Sequence, residues 1–237
     1  MNIAIIFAGG TGQRMTSAVK PKQFLEVHGK PIIIYTLEHF EHHSDIDGII
    51  VVCLESWIGH LESLLQRYGV TKVKAVVSGG TTGQQSIFAG ISKAHELYDD
   101  DTVLLIHDGV RPLIDAELIS ANIECAKKNG NAVTVTPAIE TIALKDDNTI
   151  HNIMNRQSCW IAKAPQCFKL GDIYSAHLKA QEEGRDDFID SASLMLNYNT
   201  AIFPVEGKPE NIKITTPSDY YIFKAILDAN ESSQIWG

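Results

Sequence analysis

Short apolar runs alternate with longer amphipathic stretches along most of this chain. The runs that predict β-strands are 2–7, 48–53, 73–77, 102–106, 132–136 and 201–205. The early runs are apolar at nearly every position, which is typical of strands covered on both faces. The stretches that predict helices are 31–40, 57–68, 84–97, 116–128, 170–183, 191–198 and 217–229. This alternation favours an α/β fold, in which helices flank a mostly parallel sheet and the crossovers are right-handed.

Residues 139–160 break the alternation. Two β-like stretches flank an Asp-Asp-Asn sequence at 146–148, and this pattern predicts a β-hairpin. Inserted in an α/β domain, such a hairpin would be either a lid or a dimerisation arm. The chain has no repeat, low-complexity tract or linker. We therefore expect a single domain over residues 1–237, with a β-arm at about 139–160.

The composition narrows the classes of function. The 237 residues include 20 Lys+Arg and 29 Asp+Glu, giving a formal net charge of −9. An acidic balance argues against a nucleic-acid partner, which needs a basic face, but it leaves room for a local site for a small anion. No run of 18 apolar residues predicts a membrane span, and the first apolar stretch is interpreted as a strand rather than a signal peptide. The four cysteines have neither zinc nor disulfide spacing, so we expect a reducing compartment, the cytoplasm.

The strongest chemical signal is the loop after the first strand. Its residues are Ala8, Gly9, Gly10, Thr11 and Gly12. Clustered glycines let a backbone approach a ligand closely, and their N–H groups can cradle phosphate oxygens. Arg14 and Lys22 follow, and two fixed cations suit a triphosphate whose charge must be neutralised in the transition state. The loop lacks both the Walker sequence and the dinucleotide-binding glycine spacing, and the alternative interpretation is a plain glycine-rich turn.

A His-Asp-Gly-Val-Arg-Pro sequence follows the fourth predicted strand. It places Asp108 and Arg111 at the carboxyl end of a strand, where open α/β sheets bind ligands. Asp108 could hold Mg²⁺ together with substrate phosphates, since Mg²⁺ prefers oxygen ligands. The alternatives are an aspartate that caps the loop and an arginine that holds it by hydrogen bonds.

Three further groups of residues carry weaker signals. Gly80 and Ser86 open the helix after the third strand and could contact a base or ribose, or form an ordinary turn and helix cap. Arg156 and Lys213 are candidates for gripping a second phosphate, although surface charge is the usual meaning of such residues. Histidines at 39, 42 and 43 have no matching cysteines and are interpreted as surface residues.

In order along the chain, these motifs resemble a cytidylyltransferase family. They are Ala-Gly-Gly-x-Gly-x-Arg-Met, Pro-Lys-Gln-Phe, Gly-Gly, His-Asp-x-x-Arg-Pro, Asn-Arg, Pro-Gln and Asn-Ile-Lys-Ile-Thr-Thr-Pro, over about residues 3–220. One branch of the family acts on 2-C-methyl-D-erythritol 4-phosphate in isoprenoid synthesis, and the other acts on ribitol 5-phosphate in teichoic acid and capsule synthesis. The resemblance implies a Rossmann-like nucleotidyltransferase fold with a protruding β-arm, and a homodimer through that arm. It also implies cytidylyl transfer from CTP to a polyol phosphate, with Mg²⁺ and release of pyrophosphate.

The resemblance also implies a role for each candidate residue. CTP would be bound by Ala8, Gly9, Gly10, Thr11, Gly12, Gly80 and Ser86. Catalysis would fall to Arg14, Lys22, Arg156 and Lys213, and the polyol phosphate would contact Asp108, Arg111, Thr141, Arg156 and Lys213, with Asp108 also the metal ligand. The arm could bring Arg156 to the site of a partner subunit. Because the acceptor phosphate is itself an anionic nucleophile, this chemistry needs positioning and charge neutralisation rather than a general base.

The choice of acceptor depends on positions outside the shared motifs. Gly83 stands where the family usually has Arg, and Ala164 and Ile189 stand where it usually has Thr. Trp-Ile-Gly-His at 57–60 resembles the ribitol branch, whereas Trp160 resembles the erythritol branch. The balance favours D-ribitol 5-phosphate and a CDP-ribitol product for cell-envelope polymers. The alternatives are the erythritol phosphate, a sugar-1-phosphate enzyme that uses UTP or dTTP, and a non-catalytic nucleotide-binding regulator.

Overall fold

Seven strands form one mixed sheet in the computed structural model, which describes residues 1–9 and 20–236, with side chains as far as residue 230. The described strands are β1 (Asn2–Ala8), β2 (Glu26–Val27), β3 (Lys30–Pro31), β4 (Gly48–Cys53), β5 (Val73–Ser78), β6 (Val103–Asp108), β7 (Asn131–Pro137), β8 (Ala143–Asp146), β9 (Thr149–Ile153), β10 (Trp160–Lys169) and β11 (Pro204–Glu206). The order across the main sheet is β11-β7-β10-β6-β1-β4-β5. All its neighbours are parallel except β10, which is antiparallel to both β6 and β7. The predicted α/β class is confirmed.

Helices cover both faces of this sheet. They are α1 (Ile32–Glu41), α2 (Ile58–Arg67), α3 (Gly83–Leu97), α4 (Ala116–Asn129), α5 (Leu170–Glu182), α6 (Ser191–Asn197) and α7 (Pro217–Trp236). Side-chain caps fix several of the starts, since Asp115 accepts a hydrogen bond from the Leu118 amide at 2.8 Å and Asp190 forms a capping box with Ser193. None of the described helices is both long and apolar enough to cross a membrane.

Alternate residues of β1 serve two separate hydrophobic clusters. Ile3 and Ile5 pack with α3, α5 and α6 on one face, while Ala4 and Ile6 pack with α1, α2 and α4 on the other. All four side chains are fully buried. This two-sided burial explains why the early strands are apolar at nearly every position.

Strand β10 was not predicted from the sequence. Lys163, Pro165 and Gln166 interrupt its apolar pattern, and its register shifts between Ala162 and Gln166 against β7.

The prediction of a strand at 201–205 was partly wrong, because the paired strand begins only at Pro204. The side chain of Asn131 explains the difference. Its amide donates to the carbonyl of Ala201 at 2.8 Å and accepts from the amide of Phe203 at 3.0 Å, so these backbone groups bond a side chain instead of a neighbouring strand.

The predicted arm is confirmed as a hairpin of β8 and β9, with Asp147 in the turn at a φ of +46°. Every residue of these two strands is exposed.

The surface interpretation of the histidines at 39–43 was wrong for His43. That side chain is 6% exposed, and its Nε2 lies 3.0 Å from Ser120 Oγ and 3.1 Å from the Ala116 carbonyl on α4.

Candidate active site

Two adjoining cavities lie where β1 and β6 end. The first, of about 360 Å³, is lined by the end of β1, by the loop after β5 and by the start of α3. The second, of about 270 Å³, is lined by β10 and by the segment that leads into α6. Phe7, Gly83, Asp108 and Lys213 line both cavities, so the two form one cleft. This is the edge of the sheet at which the sequence placed the candidate residues.

Glycine backbone surrounds Ser86 in the first cavity. Ser86 Oγ donates to the Thr82 carbonyl at 2.9 Å and accepts from the Gly80 amide at 3.1 Å. A Cβ at Gly9 would lie 3.3 Å from this oxygen, and a Cβ at Gly80 would overlap with that of Gln85. A side chain at position 80 would therefore displace Gln85, and one at position 9 would crowd Ser86.

Helix α3 directs its N-terminus into the cleft. Thr82 caps the helix by accepting from the Gln85 amide at 3.2 Å, and Gly83, its first residue, lines both cavities. The N-terminus of a helix of this length carries a partial positive charge that favours phosphate. Gly83 has no side chain to cover that end of the helix.

Lys22 lines the first cavity from a short 3₁₀ turn, Lys22–Phe24. Gln23 fastens the turn to β1, because its Nε2 donates to the Ala8 carbonyl at 2.5 Å. Phe24 is fully buried and stacks on Trp57, with ring centroids 4.9 Å apart, and it meets the edge of His60 at 5.1 Å. The Trp-Ile-Gly-His sequence at 57–60 and the Pro-Lys-Gln-Phe motif do not by themselves indicate these anchoring roles, because the contacts join distant parts of the chain.

Asp108 connects the two cavities through its ion pairs. Its side chain is 6% exposed, with Oδ2 2.7 Å from Arg111 Nε and Oδ1 2.5 Å from Lys213 Nζ. Burial acts to raise the pKa of the Asp108 carboxyl, but Lys213 and Arg111 outweigh it and hold that pKa below its usual value. Arg111 also donates to the Asn211 carbonyl at 3.0 Å, which ties the loop after β6 to the segment that carries Lys213.

His107, one residue earlier, lies entirely inside the protein beneath this cluster. Its Nε2 lies 3.1 Å from the Arg111 carbonyl, and its ring is 5.3 Å from that of Phe40. Burial lowers the pKa of His107 to about 4. The ring is therefore neutral near pH 7, and it supports the loop rather than adding a charge to the site.

Lys163 is a cation of the second cavity that no motif of the sequence indicates. Its Nζ donates to the carbonyls of Pro209 and Asn211 at 2.8 and 3.0 Å. Ala164 and Ile189 line the same cavity without offering a polar side chain, and Ile189 is 93% exposed. Lys163 reaches the cavity because it lies on β10. Predicting that strand from the sequence would have placed Lys163 at this site.

The remaining candidates stand apart from this cleft. Arg156 lies at the base of the arm and donates to the Ile139 carbonyl at 3.1 Å, and Thr141 is exposed nearby. Neither residue lines either cavity. Gly10, Thr11, Gly12 and Arg14 lie outside the described residues.

Among the described residues that line the cleft, Asp108 is the candidate metal ligand, since the other carboxylate, Asp190, caps α6. No cluster of three His, Cys, Asp or Glu side chains within residues 1–9 and 20–236 could hold an ion on its own. A single carboxylate nevertheless fits Mg²⁺, because this ion often binds through one or two carboxylates together with substrate phosphates. Asp108 is such a carboxylate, although Arg111 and Lys213 now engage both of its oxygens.

Comparison with known proteins identifies the family. The sequence model of the family described as IspD, 2-C-methyl-D-erythritol 4-phosphate cytidylyltransferase, matches residues 2–229. The chain belongs to this family. The resemblance stated from the motifs is therefore confirmed, and the protein is a nucleotidyltransferase of the cytidylyltransferase type.

Individual members of the cytidylyltransferase family match over almost the whole chain. A ribitol-5-phosphate cytidylyltransferase of Streptococcus agalactiae is 53% identical and aligns over 100% of this chain and 99% of its own. A 2-C-methyl-D-erythritol 4-phosphate cytidylyltransferase of Bacillus licheniformis is 38% identical over 99% of both. The crystal structure of 4-diphosphocytidyl-2C-methyl-D-erythritol synthase from Anaerococcus prevotii superposes with a TM-score of 0.80 at 28% identity, covering 96% of each chain. The predicted nucleotidyltransferase fold is confirmed.

Proposed function

We propose that the protein transfers a cytidylyl group from CTP to D-ribitol 5-phosphate, giving CDP-ribitol and pyrophosphate. One observation carries this proposal: a glycine-lined cavity and a cation-lined cavity meet at Asp108 and Lys213. The arrangement suits a reaction between two phosphate compounds. The choice of ribitol is supported by the relative named for that substrate, which is 53% identical, against 38% for the relative named for the erythritol phosphate.

In this proposal the first cavity binds CTP. The backbone at Gly9 and the N-terminus of α3 would hold the triphosphate, and Gly80 and Ser86 would contact the cytidine. Lys22, together with Arg14, would neutralise charge at the α-phosphorus. The second cavity would hold the acceptor, with its phosphate close to Lys213.

The chemical step joins two phosphates. An oxygen of the acceptor phosphate attacks the α-phosphorus of CTP, and the bond from that phosphorus to the oxygen bridging to the β-phosphate breaks. Pyrophosphate leaves with the electron pair of the broken bond. No proton need be removed from the nucleophile, so the residues of the cleft act by positioning and by charge neutralisation.

We propose Mg²⁺ as the cofactor, with Asp108 as its protein ligand. When bound, Mg²⁺ would neutralise phosphate charge as the transition state forms. For Asp108 to serve it, Lys213 would transfer from the carboxylate to a substrate phosphate. Lys213 is suited to that exchange because its side chain is 40% exposed, whereas that of Arg111 is 13% exposed.

We also propose that two copies associate through the arm. Residues 139–161 contribute seven exposed large apolar side chains to the described surface: Ile139, Leu144, Ile150, Ile153, Met154, Trp160 and Ile161. An isolated two-stranded hairpin is at best marginally stable, and so concentrated an apolar surface favours a partner. A second copy on this surface would also give Thr141 and Arg156 a site to act on, since both lie away from the cavities of their own chain.

The biological setting follows from the proposed product. CDP-ribitol would supply a cell-envelope polymer such as teichoic acid or capsule, and we place the reaction in the cytoplasm. The second candidate acceptor is 2-C-methyl-D-erythritol 4-phosphate, favoured by the family description and by the 28%-identical structural neighbour.

Release of pyrophosphate by the purified protein tests the proposal. CTP and Mg²⁺ are supplied with ribitol 5-phosphate, with the erythritol phosphate or with no acceptor. We expect release that depends on an acceptor and is fastest with ribitol 5-phosphate. Lys22→Met should abolish most turnover, while Lys20→Met, which removes a half-exposed partner of Glu26, should leave it unchanged. CTP binding without pyrophosphate release from any acceptor would instead indicate a nucleotide-binding regulator.

A further inference from the structure

The second cavity carries an uncompensated positive charge. Its charged lining residues are Asp108, Arg111, Lys163, Asp190 and Lys213, three cations against two carboxylates. Asp108 is engaged by Arg111 and Lys213. Neither carboxylate forms an ion pair with Lys163 in the described part of the chain.

Asp190, the other carboxylate, has a structural task. Its Oδ1 accepts from the Ser193 amide at 2.8 Å as the cap of α6, and its Oδ2 accepts from Gln166 Nε2 at 2.9 Å. Gln166 in turn accepts from the Ala192 amide at 3.0 Å. This bonding fixes the carboxylate at the helix start, so Lys163 is left to neutral carbonyl partners.

Lys163 is well placed to bind an anion. It is half-buried on β10, and its two hydrogen bonds to the Pro209 and Asn211 carbonyls use two of the three N–H donors of an ammonium group. A phosphate in the cavity would supply both the third acceptor and the missing negative charge. Charge-assisted hydrogen bonds of this kind are stronger than neutral ones.

We propose that Lys163 binds the phosphate group of the acceptor, alongside Arg111 and Lys213. This inference rests on the proposed function, which places the polyol phosphate in the second cavity. Lys163 lines that cavity and not the glycine-lined one. Its role therefore concerns the acceptor and leaves CTP binding untouched.

The ionisation of Lys163 supplies an independent readout. Burial, and then the neighbouring Arg111 guanidinium, lowers the pKa of Lys163, while Glu210 acts in the opposite direction. Acceptor binding should therefore weaken as the pH rises through this lowered pKa. Arg at position 163 would keep its charge throughout, because a guanidinium does not lose its proton in this range.

The test is calorimetric binding to the full chain saturated with a non-hydrolysable CTP analogue. The probes are ribitol 5-phosphate and unphosphorylated ribitol. The variants are Lys163→Met and Lys163→Arg, and the matched control is Lys169→Met on the same strand, where an exposed Lys pairs with Asp101. Affinity for the CTP analogue is measured separately for each protein.

We expect Lys163→Met to weaken ribitol 5-phosphate binding at least about tenfold. Binding of ribitol and of the CTP analogue should stay unchanged, as should all binding by Lys169→Met. Lys163→Arg should match wild type near neutral pH and exceed it once the pH rises through the lowered pKa of Lys163, because only the Lys loses its proton.

Two results would overturn the proposal. One is unchanged ribitol 5-phosphate binding in Lys163→Met. The other is an equal loss for both ligands, which would mean that Lys163 acts only by fastening residues 209–211. Failure of the proposed function looks different: wild type would bind ribitol 5-phosphate through Lys163 yet release no pyrophosphate. Absence of ribitol 5-phosphate binding by wild type would overturn both.

Discussion

Replacing Asp108 by Asn removes one charge and almost no volume from the centre of the cleft. In the wild-type protein the carboxylate faces Arg111 Nε at 2.7 Å and Lys213 Nζ at 2.5 Å. The variant would leave both cations without their counter-charge. The free energy of unfolding should therefore fall, although packing around the side chain stays the same.

The size of the loss follows from how deeply each cation is buried. Removing one partner of a buried ion pair costs about 3–5 kcal/mol, because the other charge is left uncompensated. The Arg111 side chain is 13% exposed and cannot reach water easily, whereas Lys213, at 40%, can turn its ammonium outward. We therefore expect the lower end of the range, about 3 kcal/mol near pH 7.

The loss should depend on pH in a definite direction. Burial opposes ionisation of Asp108, but Lys213 and Arg111 hold the pKa of its carboxyl below the usual value in the folded protein. The stabilisation is thus present above the unfolded-state pKa, about 3.9, and is lost as the pH falls through the folded-state pKa. Protonated Asp and Asn are nearly alike, so the difference between wild type and Asp108→Asn should shrink below about pH 4.

Urea unfolding followed by circular dichroism measures this difference. The matched control is Asp115→Asn, which affects a half-exposed carboxylate paired with exposed Lys208 and leaves a residue that still caps α4. It should lose less than about 1 kcal/mol. A loss below about 1 kcal/mol for Asp108→Asn near pH 7, or the same loss at about pH 3.5, would refute the reasoning.

Three further predictions concern other parts of the molecule. Gly80→Ala should raise the KM for CTP about tenfold or more in steady-state assays, since its Cβ would collide with Gln85. Burial lowers the pKa of His177 to about 4, so wild type should lose on the order of 3 kcal/mol more than His177→Phe in urea unfolding between about pH 6.5 and 4. Ile150→Asp, at a 66% exposed arm position, should convert a dimer to monomers in sedimentation velocity.

Each of these predictions has a control and a contrary result. Gly59→Ala adds a Cβ in open space, and equal kinetics in both glycine variants would remove the role of Gly80. His151→Gln changes an exposed histidine, and parallel pH profiles for wild type and His177→Phe would contradict the buried neutral ring. Leu178→Asp alters an exposed apolar residue outside the arm, and a monomeric wild type would exclude the arm as a dimer interface.

Local patterns in the sequence predict the sheet and its helices well. The run from Ile3 to Ile6 is apolar because both faces of β1 are covered, and Asp115 marks the start of α4 because its side chain caps that helix. Both causes act within a few residues of the chain, so the local sequence pattern reflects them. The hairpin at 139–160 is visible for the same reason, through its turn.

Features that depend on distant pairing were not predicted. Strand β10 enters the sheet between β6 and β7 although Lys163 and Pro165 interrupt its pattern, since its partners lie far away in sequence. The placement of Lys163 in the cleft could not be predicted for the same reason, because it depends on this strand. His43 is buried because α4 supplies its hydrogen-bond partners, which the spacing of the histidines alone does not indicate.

A direct competition between acceptors tests the central claim. Wild-type protein is given CTP, Mg²⁺ and equal concentrations of ribitol 5-phosphate and 2-C-methyl-D-erythritol 4-phosphate, and the CDP-linked products are separated by mass early in the reaction. Their ratio equals the ratio of the two kcat/KM values, independent of the amount of active enzyme. The account predicts CDP-ribitol as the dominant product. A dominant CDP-methylerythritol, or no CDP-linked product at all, would contradict it.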